Sequence, residues 1–143
     1  MNKNLQKKLF KKYPKIFVES KLPPNKSCMG QGITCGNGWY FLIDSLCNYI
    51  QCYIDAELKF NEKVIEQVVA KQVKEKMASL RFYYDGGDEL IRLMVNYTMF
   101  LSSRTCEFCG TTDSKVKSTT KGKGFGWIRT VCLPCHKRWK KES

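Results

Sequence analysis

The chain has 143 residues, of which 43% are hydrophobic and 27% charged, a composition that excludes a disordered chain and suits one compact domain with a small appendage. Its formal net charge of +12 suits contact with nucleic acid or with an acidic protein surface, although such charge also serves solubility. No apolar run approaches the ~20 residues that a helix needs to cross a bilayer, so we expect no membrane partner.

The N-terminal segment is predicted to form a basic helix. Over residues 3–13, Leu5 and Leu9 lie four residues apart among lysines, and Pro14 ends the helical pattern. The segment lacks the apolar centre of a signal peptide. We therefore expect a cytoplasmic protein, whose eight cysteines stay reduced and bind metal or remain buried thiols rather than form disulfides.

The main helix is predicted to follow a long connection. Residues 21–27 are predicted to form a loop, and four glycines within residues 28–38 require a sharp turn. From Trp39 to about Phe60, apolar residues recur at helical spacing. They form one face of the predicted helix, which consists of Trp39, Ile43, Leu46, Cys47, Ile50, Tyr53, Ile54 and Leu58.

A strand pair and a third helix are predicted next. The β-branched and aromatic residues within residues 65–84 favour two strands joined near Met77–Ser79. Asp88 is predicted to cap a helix over residues 89–103. The predicted apolar face of this helix, which we expect to pack against the main helix, consists of Leu90, Met94, Tyr97 and Leu101. Residues 1–103 are therefore predicted to form an α+β core that is mainly helical with one β-hairpin.

Two C-x-x-C motifs lie near the C-terminus, Cys106 with Cys109 and Cys132 with Cys135, and 22 residues separate them. Two such turns present four thiolates in the tetrahedral arrangement that structural zinc prefers. The spacing is that of a four-cysteine finger, so we predict one structural zinc ion bound by these four residues. A closed four-thiolate site leaves no coordination position for water, which argues against a catalytic metal.

The segment around these cysteines is too short for an apolar core of its own and is predicted to fold only with metal. Short strands are predicted at Lys115–Ser118 and Trp127–Val131, and Pro134 suits the first turn of a final basic helix. We call each C-x-x-C turn a knuckle. The order of knuckle, hairpin, knuckle and helix is that of a treble-clef or zinc-ribbon module. We assign residues 104–143 to this zinc-binding finger.

The sequence from Cys132 to His136 also matches a haem attachment site and contains a candidate redox dithiol. Haem attachment needs export and leaves the first cysteine pair without a role. A thioredoxin-like dithiol needs a βαβ context, which is absent. His136 directly follows a predicted ligand and is poorly placed to be one, so we predict that it lies beside the site or on the surface.

The chain is predicted not to be an enzyme. Nucleases of the His-Asn-His type need a histidine base and usually a second, metal-binding histidine, and this chain has one histidine. No phosphate-binding Walker motif is present. The acids of residues 85–89 are predicted to serve a strand-to-helix turn rather than two-metal chemistry. The other cysteines, Cys28, Cys35, Cys47 and Cys52, match no finger template, and a second metal site among them is the less favoured alternative; Cys47 lies on the apolar face of the predicted main helix, where a free cysteine is typically buried.

Positive charge is concentrated at both ends of the chain. Residues 1–26 and 104–143 each carry a net charge of +7, and the middle carries −2. The basic side chains of the finger are candidate contacts to a partner or to nucleic acid. They are Lys115, Lys117, Lys121, Lys123, Arg129, Lys137, Arg138, Lys140 and Lys141. Trp127 and Phe125 are candidates for stacking on bases, or for filling the small core of the finger.

Several stretches resemble a family of small proteins encoded by tailed bacteriophages, a family of mostly unassigned function. They are LFKKYPKIF (9–17), CGNGWYFLIDSLC (35–47), QVKEKMASLRFYYDGGDELI (72–91), SSRTCEFCG (102–110) and GWIRTVC (126–132). The chain departs from the family pattern at Gly30 and Gln31, where a Cys-Trp pair is usual, and this departure weakens the case for a metal site around Cys28.

The resemblance implies a phage accessory protein that acts in the cytoplasm of an infected or lysogenic bacterial host. Small, basic, non-enzymatic phage proteins often bind and disable a host machine, and anti-CRISPR proteins are the example closest in size and type. We therefore predict an inhibitor or adaptor that binds a host defence protein or ribonucleoprotein, such as a Cas9-type CRISPR effector. The alternative is a DNA- or RNA-binding zinc-finger protein.

Overall fold

The computed structural model describes residues 1–121 and 126–142. Within these residues the chain forms four α-helices and two antiparallel β-hairpins, which confirms the predicted α+β class. The elements are α1 (Lys3–Lys12), α2 (Tyr40–Asn61), β1 (Val69–Lys76), β2 (Ser79–Asp85), α3 (Glu89–Ser102), β3 (Lys117–Thr120), β4 (Ile128–Val131) and α4 (Leu133–Lys141). In the described parts of the chain, no helix has both the length and the apolar character that crossing a membrane requires.

The core forms around α2, whose inward face agrees closely with the prediction. Trp39, Ile43, Cys47 and Ile50 are fully buried there, and side chains from α1, the connection before α2 and the first hairpin pack around them. Leu58, which was predicted on the same face, is 57% exposed, and this part of the prediction is wrong. The last turn of α2 is exposed throughout, because no other element covers it.

The first hairpin packs on this core with its strands joined by a two-residue turn. Lys76 pairs with Ser79, and Met77 and Ala78 between them have φ angles of 54° and 60°. Positive φ at both central residues is the geometry of the type I′ hairpin turn. The structure thus confirms the predicted position of the turn. The free edge of β1 is partly covered by Thr34, which hydrogen-bonds with the backbones of Val73 and Glu75.

Helix α3 begins as predicted but turns a different face to the core. The Asp88 side chain caps it by accepting a hydrogen bond from the backbone N–H of Ile91, at 3.2 Å. The buried side chains are Ile91, Val95, Thr98 and Ser102. The predicted face is therefore wrong: Leu90 is 41% exposed and Tyr97 is 62% exposed, while Met94 and Leu101 lie half-buried at its border.

Two hydroxyl groups explain how polar residues take the inward face of α3. Ser102 Oγ accepts a hydrogen bond from the backbone N–H of Leu80 at 2.9 Å, and Thr98 Oγ1 donates to the carbonyl of Met94 at 2.9 Å. A buried hydroxyl with a partner avoids the cost of an unsatisfied polar group. Because apolar side chains surround most of this helix, their spacing alone does not identify the inward face.

Replacing Ile50 with Ala is expected to lower the free energy of unfolding by about 2–5 kcal/mol, because the side chain is fully buried and its removal leaves a cavity. Chemical denaturation with a constant m-value measures this loss. Leu58→Ala on the exposed end of the same helix is the matched control and should be close to neutral. Equal effects of the two substitutions would contradict the described core.

Candidate metal centre

The four cysteines of the two C-x-x-C motifs converge at one point in the fold. Cys106 and Cys109 lie on a tight turn that Gly110 completes with a φ of 77°, and the backbone N–H of Gly110 donates to the carbonyl of Cys106 at 2.8 Å. Cys132 is the N-cap residue of α4 and Cys135 lies in its first turn. Each motif therefore presents two sulfurs from one rigid turn.

The sulfur geometry fits a tetrahedral metal ion. The four Sγ atoms all lie within 4.8 Å of one another, and the Cys109 and Cys132 sulfurs are 3.7 Å apart. Zn–S bonds of about 2.3 Å in a tetrahedron place the sulfurs roughly 3.8 Å apart. Among the described residues, this is the one group of cysteine, histidine and acidic side chains whose donor atoms come close enough to hold a metal ion.

The surroundings of the sulfurs act on their ionisation in opposite directions. Burial would raise the pKa of the Cys106 thiol, but backbone N–H groups of Cys109, Cys132 and Phe108 donate to this sulfur and bring its pKa below the usual value. Burial raises the pKa of Cys135 to about 12, although the Arg138 guanidinium donates to its sulfur at 3.4 Å. Since a metal binds the thiolates, binding must release protons, and metal affinity falls as the pH falls.

His136 stands outside this group of donors. Its Nε2 lies 3.0 Å from the carbonyl oxygen of Thr120 and 3.4 Å from Thr119 Oγ1. A carbonyl oxygen only accepts hydrogen bonds, so Nε2 carries the proton in this contact. The imidazole thereby connects α4 to β3.

The remaining cysteines and the acids of residues 85–89 are separate from the metal centre. Cys35 and Cys47 are buried, and Cys28 and Cys52 are exposed. Burial raises the pKa of the Cys35 thiol to about 12 and raises that of Cys47 as well. The three acids have different partners: Asp85 pairs with Lys71, Asp88 accepts from Tyr53, and Glu89 pairs with Arg92.

The cysteine knuckle is joined closely to the start of α2. The Trp39 indole N–H donates to the carbonyl of Thr105 at 2.8 Å, and the backbone N–H of Gly38 donates to the carbonyl of Glu107 at 2.8 Å. A Cβ atom at Gly38 would lie 2.2 Å from the carbonyl oxygen of Cys106, so only glycine fits this contact. Contacts thus cross the predicted boundary between residues 103 and 104, and the division into two domains stays a prediction.

Glu107, inside the first C-x-x-C motif, carries a fully buried side chain. Its Oε1 forms an ion pair with Arg129 and accepts a hydrogen bond from the backbone N–H of Gly36 at 2.9 Å. Oε2 has no hydrogen-bond partner among the described residues. Burial raises the pKa of this carboxyl, and Arg129 opposes the rise. Arg129 is therefore the one residue that forms an ion pair with the Glu107 carboxylate among the described residues.

The side chain of Arg129, which was predicted as a candidate partner contact, packs among aromatic rings of the finger. Its guanidinium lies 5.3 Å from the ring centroid of Phe108, 5.6 Å from that of Trp127 and 5.9 Å from that of Trp139. Together with Glu107, these rings leave 24% of the side chain exposed. Arg129 is therefore not part of the exposed basic surface of the finger.

The other candidate basic residues of the finger that the structure describes lie before β3, on β3, directly after β3 and on α4. Six have exposed positions: Lys115, Lys117, Lys137, Arg138, Lys140 and Lys141. Lys121 is half-buried, and its Nζ donates to the carbonyl of Glu142 at 2.6 Å. Lys123 and Phe125 lie outside the described residues. Trp127 is 65% exposed, and its indole N–H donates to Glu75 Oε2 at 2.9 Å.

Sequence reasoning missed the residues that hold the finger to the core. Gly36 and Gly38 were assigned only to a turn, and Glu107 and Arg129 were not paired. No spacing rule connects residues so far apart in the chain; the one local signal was a pair of glycines directly before a buried tryptophan.

Comparisons with models of protein families, with curated proteins and with solved structures find no match to this chain.

Proposed function

We propose that the four-cysteine centre is a structural zinc site of treble-clef type, held by Cys106, Cys109, Cys132 and Cys135. The proposal rests on the all-sulfur donor set, the S···S distances and the order of knuckle, hairpin, knuckle and helix. When bound, zinc supplies cross-linking and folding energy rather than chemistry, because four thiolates fill its coordination sphere. We therefore propose a binding protein without enzymatic activity.

We further propose that the finger docks on a ribonucleoprotein or acidic protein complex of a bacterial host and inhibits it, as an anti-CRISPR protein does with its effector. The observation that carries the docking is the basic surface of the finger, comprising the exposed Lys115, Lys117, Lys137 and Lys141. Within residues 1–121 and 126–142, none of these four side chains forms an ion pair. Unpaired lysines on one small module attract a polyanionic surface.

Direct binding to free DNA or RNA is the second candidate function. It is favoured by the exposed indole of Trp127 in the same finger, since aromatic rings next to basic side chains stack on unpaired bases. The two functions differ in whether a protein must be present in the complex. Nuclease treatment separates them.

Affinity capture from host cells, with and without nuclease, tests the docking proposal. We expect a host protein complex that survives nuclease treatment and loses activity when the protein binds. Capture that nuclease abolishes, together with tight binding to free nucleic acid whose log K falls with log salt at a slope of about −3 or steeper, would instead support the second candidate.

Replacing Lys137 and Lys141 with Gln is expected to weaken binding of the captured partner, or of nucleic acid, at least tenfold. For duplex DNA, the salt slope should become shallower by about 1–2, because roughly 0.9 counterions are released per phosphate neutralised. Lys21→Gln with Lys26→Gln is the matched control, because it removes the same charge from exposed positions outside the finger. Equal losses from both pairs would show a response to net charge and contradict a docking surface on the finger.

A further inference from the structure

Helix α3 presents a second apolar face to solvent, on the side away from the core. Leu90, Leu93, Tyr97 and Phe100 follow one another at spacings of three, four and three residues and are 41%, 52%, 62% and 53% exposed. The rings of Tyr97 and Phe100 stack with centroids 6.3 Å apart and an interplanar angle of 25°. We call these four residues the α3 stripe.

The residues around α3 differ from those expected for a helix with one buried face. The inward face combines buried Ile91 and Val95 with buried Thr98 and Ser102, whereas the stripe on the opposite side contains only large apolar and aromatic side chains. Helices with apolar residues on nearly every side are normally covered on more than one face. A contiguous exposed apolar patch of this kind marks an interaction site.

The spacing of the stripe indicates a helical occupant. Steps of three, four and three residues are those of the a and d positions in a coiled-coil seam, where side chains interlock with those of a facing helix. A twofold axis between Leu93 and Tyr97 makes the stripe complementary to itself, because Leu90 then faces Phe100 of a second copy and Leu93 faces its Tyr97. Each contact across the twofold axis thus pairs an aromatic ring with a smaller leucine side chain.

We propose that the α3 stripe is the interface of a homodimer in which α3 packs antiparallel against α3 of a second copy. The charges at the ends of the helix set the direction. The start of α3 carries two acids, Asp88 as its cap and Glu89 following it, and these also pair with Lys63 and Arg92 of the same chain. Its end is followed by Arg104, whose guanidinium lies 5.2 Å from the ring centroid of Phe100.

An antiparallel pair brings the acidic start of one helix beside Arg104 of the other and also opposes the two helix dipoles. A parallel pair would bring like charges together at both ends. The stripe lies within residues 27–103, whose net charge is −2.

The exposed area fits a small but specific dimer. With about 200 Å² for each such side chain, the four exposed fractions leave roughly 400 Å² per copy. Half-buried Met94 and Leu101 at the edge of the stripe extend this area. The total area buried by two copies then comes close to the ~1,000 Å² of a specific interface, which is at the low end of the usual range.

Sedimentation equilibrium of the zinc-loaded full chain across about 1–100 μM tests the proposal. We expect a reversible transition from 16.6 kDa to twice that mass within this concentration range. Leu93→Glu should raise the dimer dissociation constant at least tenfold, since it places two carboxylates near the twofold axis. A chain that stays monomeric up to the highest concentration would overturn the proposal.

Phe60→Glu is the matched control, because Phe60 is 72% exposed on α2 and outside the stripe. It should leave the dimer unchanged. If Phe60→Glu and Leu93→Glu dissociate the dimer equally, or if the dimer persists in Leu93→Glu, the interface lies elsewhere and the proposal is wrong. Far-ultraviolet circular dichroism confirms that each variant remains folded before its mass is interpreted.

A charge exchange tests the antiparallel direction separately. Arg104→Glu alone and Glu89→Lys alone should each weaken the dimer about threefold or more, and the double variant should regain most of the loss. Both residues are present on every chain, so the exchange restores the complementary pairs in an antiparallel dimer. Absence of this recovery, with both single variants weakened, would refute the proposed antiparallel arrangement.

Discussion

Cys106→Ser is expected to abolish zinc binding and to unfold the finger. Wild-type protein should contain one zinc ion per chain by elemental analysis, and the variant should contain none. Cys106 is fully buried, and a serine hydroxyl in its place does not supply the thiolate that zinc binds. Metal binding at such sites contributes on the order of 10 kcal/mol, and this energy appears as folding energy.

The structure also predicts how far the effect of zinc loss extends. The Trp39 indole donates its N–H to Thr105, next to the knuckle, so the NMR signal of this N–H should shift or broaden when the metal is removed. The core around Ile43 and Ile50 should persist, and most of the α2 circular dichroism with it. Cys52→Ser, at an exposed position outside the metal centre, is the control and should retain a full zinc ion. Well-folded protein without any metal would contradict a structural zinc site.

Arg129→Ala is expected to destabilise the protein by about 3–5 kcal/mol, because it leaves the buried Glu107 carboxylate without its counter-charge. It also removes the guanidinium that packs between the rings of Phe108, Trp127 and Trp139. The loss should be measured by chemical denaturation of zinc-loaded protein. Arg92→Ala, which breaks an exposed ion pair with Glu89, is the control and should be close to neutral.

A double-mutant cycle separates the charge from the packing. Adding Glu107→Gln to Arg129→Ala removes the uncompensated charge, so the double variant should be more stable than Arg129→Ala alone. If the second substitution instead adds its full cost to the first, the two side chains do not interact and the described ion pair is wrong. A loss of binding in Arg129→Ala without any loss of stability would return Arg129 to the candidate partner surface.

Much of the local structure could be predicted because it depends on neighbours in sequence. Apolar residues at helical spacing predicted α2 to within one residue at each end, and Asp88 was identified as the cap of α3. The two C-x-x-C motifs identified the four cysteines that the fold brings together, since a tight turn places two sulfurs side by side whatever surrounds it. In the finger, β3 begins two residues later than predicted, at Lys117.

The inward face of α3 could not be predicted from its sequence. Apolar side chains occur on most sides of this helix, so periodicity offers several faces of similar quality. The choice depends on Leu80 of the neighbouring hairpin, whose backbone N–H needs an acceptor and finds it in Ser102. The same choice leaves Leu93, Tyr97 and Phe100 exposed and creates the stripe that we propose as a dimer interface.

The sequence by itself determined the α+β class, the limits of the main helix and the clustering of four cysteines, because each follows from residues within a few turns of one another or from ligand spacing. Only the tertiary structure decided that Glu107 pairs with Arg129, that Gly38 touches the cysteine knuckle, and which face of α3 is buried. These contacts join residues that lie 22 to 69 positions apart in the chain. Their energies depend on burial and on the closeness of backbones, which no local pattern of residues encodes.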